Sequence, residues 1–307
     1  LAENNIAEPD IVTESGRATV AYFTVLLTKV LYVAKADRST SPQPLPQQLS
    51  PNLTALIDLF EKKQQNETQD EIQRAIDLKE KLYYQFIKGE IPLREWAITG
   101  DIYRHIMLYF AKSSKVNTSI NDSFKSNFTD IYYCNFSIFK SLPDVWAINQ
   151  VFPVLPIKRM HEKPERHAIL ADITCDSDGK VDQFIGVEGT TNHLMLHELE
   201  DDEDYILGFF LVGAYQETLG DFHNLLGDTS VVTIKITGQE SFMITSEIEG
   251  DSISEVMSYV EYEPAQMKSK LRKLSEQAIQ EGRITPAERK KMMDTFVRGL
   301  ANYTYLK

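Results

Sequence analysis

Cys175 follows Thr174 and opens the acidic turn Asp176-Ser177-Asp178-Gly179. A thiol in a polar turn after an apolar stretch differs from the ordinary buried cysteine of a core. Such a thiol can serve as a nucleophile or a proton donor. The carboxylates beside it disfavour a thiolate, so the pattern favours a thiol that gives up its proton during a reaction. The plain structural alternative is a β-turn with a cysteine packed next to it. Asp176, Asp178 and Asp182 also imitate the start of a calcium loop, D-x-D-G, but the remaining ligands and the closing glutamate are missing.

His193 and His197 stand four apart, and on a helix they would share a face as zinc ligands can. No glutamate follows His193 as H-E-x-x-H requires, and Met195 and Leu196 alternate as in a strand, so surface or core histidines are expected and no metal ligand is assigned. Gly213-Ala214-Tyr215-Gln216 follows the apolar run Phe209 to Val212. A strand ending there, with a helix from Gln216 to Leu226, puts a phenol and helix-start N–H groups where a phosphate can be held; a tyrosine in a core is the alternative. Glu14 and Arg17 flank Gly16. They form an ion pair, or they divide the work of a cofactor site, with the glutamate facing a protonated ring nitrogen and the arginine a phosphate.

The elements that must position these groups are legible in outline. Ile11-Val12 leading into Glu14-Ser15-Gly16-Arg17 reads as a strand end and turn, and Thr19 to Ala34 as one long strand or two. Residues 39 to 51, with Pro42, Pro44, Pro46 and Pro51, read as a linker. Helical spacing follows at Leu53, Leu56, Ile57, Leu59 and Phe60, then at Ile72, Ile76, Leu82 and Phe86. Pro92 with Glu95 starts a helix through Ile102, Ile106 and Phe110. From Phe128 the period becomes strand-like, with Ile131 to Phe136, an edge segment Val151 to Ile157 carrying Pro153 and Pro156, and strands at Ala168 to Ala171, Asp182 to Ile185, Tyr205 to Val212, Val231 to Ile236 and Ser241 to Ile244. Helices return after Pro264 and Pro286. The fold class is mixed α/β, with a β-sandwich or barrel-like domain, a helical insertion and C-terminal helices.

The chain has 307 residues, 42% of them apolar, so a sizeable core is available. A net charge of −13 argues against nucleic acid as the main partner and suits a cationic small substrate, although acidic surfaces also serve solubility. Two cysteines make neither a disulfide framework nor a C-x-x-C zinc site, and a reduced, cytoplasmic setting is the simplest reading. The longest apolar run, Val20 to Ala34, is broken by Thr24, Thr28 and Lys29, so no membrane association is expected, and no signal peptide is visible. The chain starts at Leu1, which leads to the expectation of a preceding portion.

Three stretches occur in the order seen in the alanine-racemase-fold, pyridoxal-phosphate-dependent decarboxylases: Glu14-Ser15-Gly16-Arg17, Ala171 to Gly179, and Gly213 to Glu217. Tyr133 to Asp144, Leu219 to Asp228 and the ending Gly299 to Leu306 resemble, more narrowly, the biosynthetic arginine decarboxylases. The resemblance covers residues 9 to 36 and about 128 to 240 well, plus the tail. It implies a TIM-like barrel paired with a β-domain. Residues 1–17 would be the end of the barrel, 18–36 the first β-domain strands, 37–125 linker and helical insertion, 126–260 the β-domain, and 261–307 a C-terminal helical module.

The resemblance further implies pyridoxal 5'-phosphate as cofactor, L-arginine as substrate and agmatine with CO₂ as products, with Mg²⁺ a candidate accessory ion. Glu14 would meet the pyridinium nitrogen; Gly16, Arg17 and Tyr215 would bind the phosphate. Cys175 would return a proton to the α-carbon, and Asp176 would hold the distal cation, both reaching into the partner's site of a homodimer or dimer of dimers. Two substrate contacts are extrapolated. Asp144 is a carboxylate in the specificity segment suited to a guanidinium, and His223 falls by gapless counting from Tyr215 where ornithine enzymes have a substrate-facing aromatic. No Schiff-base lysine motif or glycine-rich phosphate loop is found, so the isolated chain is expected to be inactive. A decarboxylase of ornithine, diaminopimelate or carboxynorspermidine, and a non-catalytic dimerisation or regulatory module, are the alternatives.

Overall fold

The computed structural model describes residues 9–36, 49–62, 69–112, 129–187, 189–200, 203–238 and 241–306. The expected linker at 39–51 and the period change at Phe128 fall largely or wholly outside them. The chain begins with α1 (Gly16–Val20), a 3₁₀ turn (Ala21–Phe23) and β1 (Leu26–Ala34). Glu14 to Arg17 is thus not a strand end. Thr19 N–H donates to the Ser15 carbonyl at 3.2 Å, and this local bond turns the segment into a helix.

Three helices follow, α2 (Pro51–Lys62), α3 (Gln69–Ile87) and α4 (Leu93–Lys112). Their apolar positions recur three and four apart, so each presents one stripe, and the stripes close on one another around Leu53, Leu56, Ile72, Leu82, Ile106 and Phe110. This module has its own core, apart from that of the sheet.

The sheet region runs β2 (Asp130–Cys134), α5 (Ile138–Ser141), α6 (Pro143–Ile148), β3 (Val154–Pro156), β4 (Arg166–Ala171), β5 (Lys180–Val181), β6 (Phe184–Gly186), β7 (Gly189–Thr191), β8 (Leu194–Leu196), β9 (Ile206–Phe209), α7 (Gln216–Leu219), β10 (Val231–Ile236) and β11 (Phe242–Ile248). Seven strands make the main sheet in the order β3-β9-β1-β2-β4-β5, with β8 also on β4. The path is open among the described residues: β3 and β5 are its ends, and β6–β7 and β10–β11 form separate hairpins. The expectation of a mixed α/β chain rich in short strands is met. Pro153 and Pro156 accompany β3, an edge strand, where the missing N–H costs no ladder bond.

Period-two alternation sends Val30, Tyr132, Cys134, Ala168 and Leu170 into one core with Phe136, Leu207 and Phe209. Asp130 is buried at the start of β2, where it takes Arg166 Nε at 2.7 Å, Arg166 Nη2 at 2.9 Å and the Ala36 N–H at 2.8 Å. One carboxylate therefore ties β2 to its parallel neighbour β4 and to the end of β1. Asp130→Ala is expected to lower stability by about 3 kcal/mol, because it strips a buried charge pair of one partner; urea denaturation monitored by circular dichroism measures the loss.

The helix expected from Gln216 to Leu226 stops at Leu219. Gly220 is extended there and packs so closely on the Lys140 carbonyl that a Cβ would collide with it. A 3₁₀ turn, His223–Leu225, follows. The hairpin β10–β11 is exposed on both strands, and Ile234, Ile236, Phe242 and Ile244 leave an apolar face uncovered.

The chain ends with α8 (Ile253–Tyr259), α9 (Pro264–Gln280) and α10 (Pro286–Leu300). Pro264 and Pro286 occupy the first turn, where no N–H is required. Thr285 and Glu288 close a capping box on α10, as Ser252 and Glu255 do on α8.

Candidate active site

The site residues gather in two clusters. The first is built around Gly16. The exit of β9 passes the 3₁₀ turn at Gly213, whose N–H donates to the Ala21 carbonyl at 2.9 Å. A Cβ on Gly213 would run into the Val20 carbonyl and the Phe23 ring, so only glycine allows this approach. The chain then turns through Tyr215 in the left-handed region, φ 69°. Its hydroxyl comes so near Gly16 that a Cβ there would lie 2.6 Å away. The Arg17 guanidinium sits 5.1 Å from the centre of the Tyr215 ring. Gly16, Arg17 and Tyr215 are thus brought together, with Glu14 exposed on the segment leading in.

Asp144, in the first turn of α6, belongs to this cluster. Its Oδ2 accepts Arg17 Nη2 at 2.6 Å and Gln216 Nε2 at 2.6 Å, while its own N–H donates to Gln216 Oε1 at 3.2 Å. Asp144 is buried and Arg17 partly exposed. The Asp144 carboxylate already holds a guanidinium of this chain, which fixes the arginine head while leaving part of it open to solvent. Gln216, missed in the sequence, completes the clamp and donates also to the Ala214 carbonyl at 2.8 Å.

The second cluster is the Cys175 turn. Asp172 is buried at the end of β4 and organises it. Its Oδ1 accepts Thr174 N–H at 2.8 Å and Thr174 Oγ1 at 2.7 Å, and its Oδ2 accepts the Ile138 N–H at 2.8 Å. Burial pushes the Asp172 carboxyl above the usual carboxylate range, against the pull of these donors. A Cβ on Gly179 would collide with the Asp172 carboxylate, so the turn folds tightly back on it. The aspartate two residues before Thr174 is the sequence sign of such a side-chain-to-backbone turn, and it identifies Asp172 in retrospect.

Cys175 is exposed, and Asn224 Nδ2 donates to its Sγ at 3.3 Å. His223 Nε2 lies 3.6 Å from Asp176 Oδ2, and its ring packs 4.2 Å from that of Phe139. The structure thus brings Cys175, Asp176 and His223 together. The second cysteine, Cys134, lies fully in the core, where burial first and the nearby Asp172 second push its thiol far above the ordinary range.

The remaining polar candidates are occupied structurally. His197 bonds the Tyr205 hydroxyl at 2.7 Å and the Glu162 carbonyl at 3.0 Å, and the His193 ring packs on that of His167. Among the described residues no three His, Cys, Asp or Glu side chains gather as metal ligands would, and no helix is long and apolar enough to cross a membrane. Lys140 is buried, paired with Asp228 at 2.8 Å and set 4.3 Å over the Phe222 ring.

The sequence profile of the arginine decarboxylase C-terminal helical extension matches residues 253–306, which hold α8, α9, α10 and the tail. A biosynthetic arginine decarboxylase of Nostoc is 38% identical over 309 residues, covering 99% of this chain and 45% of that protein. One of Bacteroides thetaiotaomicron is 36% identical, covering 99% and 49%. The crystal structure of the biosynthetic arginine decarboxylase SpeA from Campylobacter jejuni superposes with a TM-score of 0.78 at 27% identity, covering 100% of this chain and 49% of that one. The chain spans about half the length of the curated relatives it matches.

Proposed function

We propose that this chain, which is similar to biosynthetic arginine decarboxylases along its whole length while spanning about half of theirs, supplies the thiol-bearing part of a pyridoxal-phosphate site that converts L-arginine to agmatine and CO₂. The observation that carries the reading is the convergence of Gly16, Arg17 and Tyr215 into one cradle. Gly16 lacks the Cβ that would collide with the Tyr215 hydroxyl, so the phenol sits against the backbone there, with the Arg17 guanidinium beside its ring. That donor set suits a phosphate dianion.

When bound, the cofactor provides the electron sink that makes loss of CO₂ feasible. The residues of this chain do the rest. Arg17, held by Asp144 and Gln216, and Tyr215 would hold the phosphate, and Glu14 would keep the ring nitrogen protonated. The exposed Asp176 carboxylate, steadied by His223, attracts the distal cation of the substrate. Cys175 gives its proton to the α-carbon in place of the departed carboxylate and takes another from water. Mg²⁺ is assigned no ligand here.

The division into a barrel end at 1–17, β-domain strands at 18–36, an insertion at 37–125, the β-domain at 126–260 and a helical module at 261–307 is part of the same proposal, as are a homodimer sharing its sites and a cytoplasmic setting. The uncovered apolar face of β10–β11 supports association, since monomers rarely leave such patches open.

The test is to complete this chain with a lysine-bearing barrel half from a relative, add pyridoxal phosphate, and offer L-arginine, ornithine and diaminopimelate in parallel. Agmatine is the expected product, with no turnover by this chain alone. Preference for another amino acid, or CO₂ release by the chain without the barrel, would overturn the reading.

A further inference from the structure

We propose that Asn224 is a positioning residue for the Cys175 thiol, and that the C-terminal tail, residues 302–306, is what holds it there; the functional weight of this rests on Cys175 being the proton donor. The Asn224 amide donates to Sγ at 3.3 Å. That bond occupies a sulfur lone pair and leaves the S–H free to point elsewhere. It also favours the negative sulfur that remains once the proton has gone.

The backbone that presents Asn224 does not relax there unaided. Asn224 and Leu225 are both left-handed, φ 57° and 56°. Asparagine tolerates this region, whereas leucine does not, and such strain persists only where the surroundings fix it. The surroundings here are the tail. The Tyr305 hydroxyl, buried, donates to the Gly227 carbonyl at 2.8 Å, and Thr304 Oγ1 accepts the Gly227 N–H at 3.1 Å. The tail is itself pinned to the end of β2: Asn135 Nδ2 donates to the Leu306 carbonyl at 2.6 Å, and the Leu306 N–H donates back to Asn135 Oδ1 at 3.1 Å. On the far side, the Asp221 N–H donates to the Phe139 carbonyl at 3.1 Å. The loop between these anchors carries two adjacent residues, His223 on Asp176 and Asn224 on Cys175. A segment more than 75 residues further along the chain, by the 78-residue separation of Tyr305 from Gly227, thereby sets both groups of the reactive turn.

The free chain suffices for the test, because Cys175 is the exposed thiol and Cys134 is buried. Iodoacetamide should modify one thiol per chain. In Asn224→Ala modification near neutral pH should be roughly tenfold slower, as expected for removing one hydrogen bond to a charged acceptor. Asn224→Asp, which keeps the volume but replaces the donor by an anion, should slow it at least as much. Combining Tyr305→Phe with Thr304→Val, which removes both bonds to Gly227, should slow modification by a smaller amount, about threefold.

A merely structural role predicts the opposite, since a loosened turn exposes sulfur and speeds modification. Unchanged or faster alkylation in both Asn224 variants overturns the positioning role. A normal modification rate in the tail variant overturns the part assigned to the tail. Modification of two thiols marks a variant that has not folded, and the other Asn224 variant then decides. If the alkylation shifts occur while the completed enzyme makes no agmatine, the positioning stands and the decarboxylase reading falls.

Discussion

Cys175→Ala, in an enzyme completed with a lysine-bearing barrel, is expected to cut agmatine formation by about 100-fold or more, the range for loss of a positioned proton donor. CO₂ release should fall less, because the carboxylate departs before the proton is needed. The carbon skeleton should be diverted toward the corresponding aldehyde, which chromatography separates from agmatine. Cys175→Ser should resemble alanine rather than the parent, since a hydroxyl is a far weaker acid than a thiol. The structure supports the assignment through exposure and orientation. Cys175 is open to solvent, lies beside the one carboxylate of the turn that His223 contacts, and has its sulfur fixed by Asn224. Agmatine output unchanged in Cys175→Ala removes the thiol from this role.

Gly220→Ala is expected to destabilise the chain by about 3 kcal/mol, the upper range for forcing a methyl group into a filled space. The added Cβ meets the Lys140 carbonyl, its carbonyl carbon and its Cα, all backbone of α5, so no side chain can swing aside. The same contact ends α7 and starts the loop that carries His223 and Asn224. Gly220→Ala should therefore lower the urea midpoint and, below the transition, also disturb Cys175 alkylation. A variant with the parent's midpoint would mean that α5 and the loop separate freely, and the account of the loop as a clamped strap would fail with it.

The residue pattern alone was enough for features that depend on near neighbours in the chain. Helices α4, α9 and α10 begin at or beside Pro92, Pro264 and Pro286, because a proline fixes φ and needs no N–H in a first turn. The stripes of α2 and α3 were readable because helical period is local. The Cys175 turn was readable as a turn because Asp176, Ser177, Asp178 and Gly179 are contiguous. The same reasoning failed where local preference had a distant competitor. Gln216 to Leu226 has a helical look, yet α7 ends after one turn because Gly220 meets a carbonyl 80 positions earlier, at Lys140. Glu14 to Arg17 reads as a strand end, but strand geometry needs a partner, and local helical bonding prevails.

What only the tertiary structure decided is which groups face one another. Arg17 and Asp144 are separated by 127 residues, and each alone suggested a different ligand, a phosphate for one and a substrate guanidinium for the other. Folding places them 2.6 Å apart, so that Asp144 supports Arg17. Asn224 and Cys175 are 49 residues apart, and nothing in either neighbourhood announces the bond between them. Periodicity and turn chemistry act over a few residues and so can be read along the chain. Pairing across the sheet depends on strand order and register, which the whole core must settle before any two side chains are neighbours.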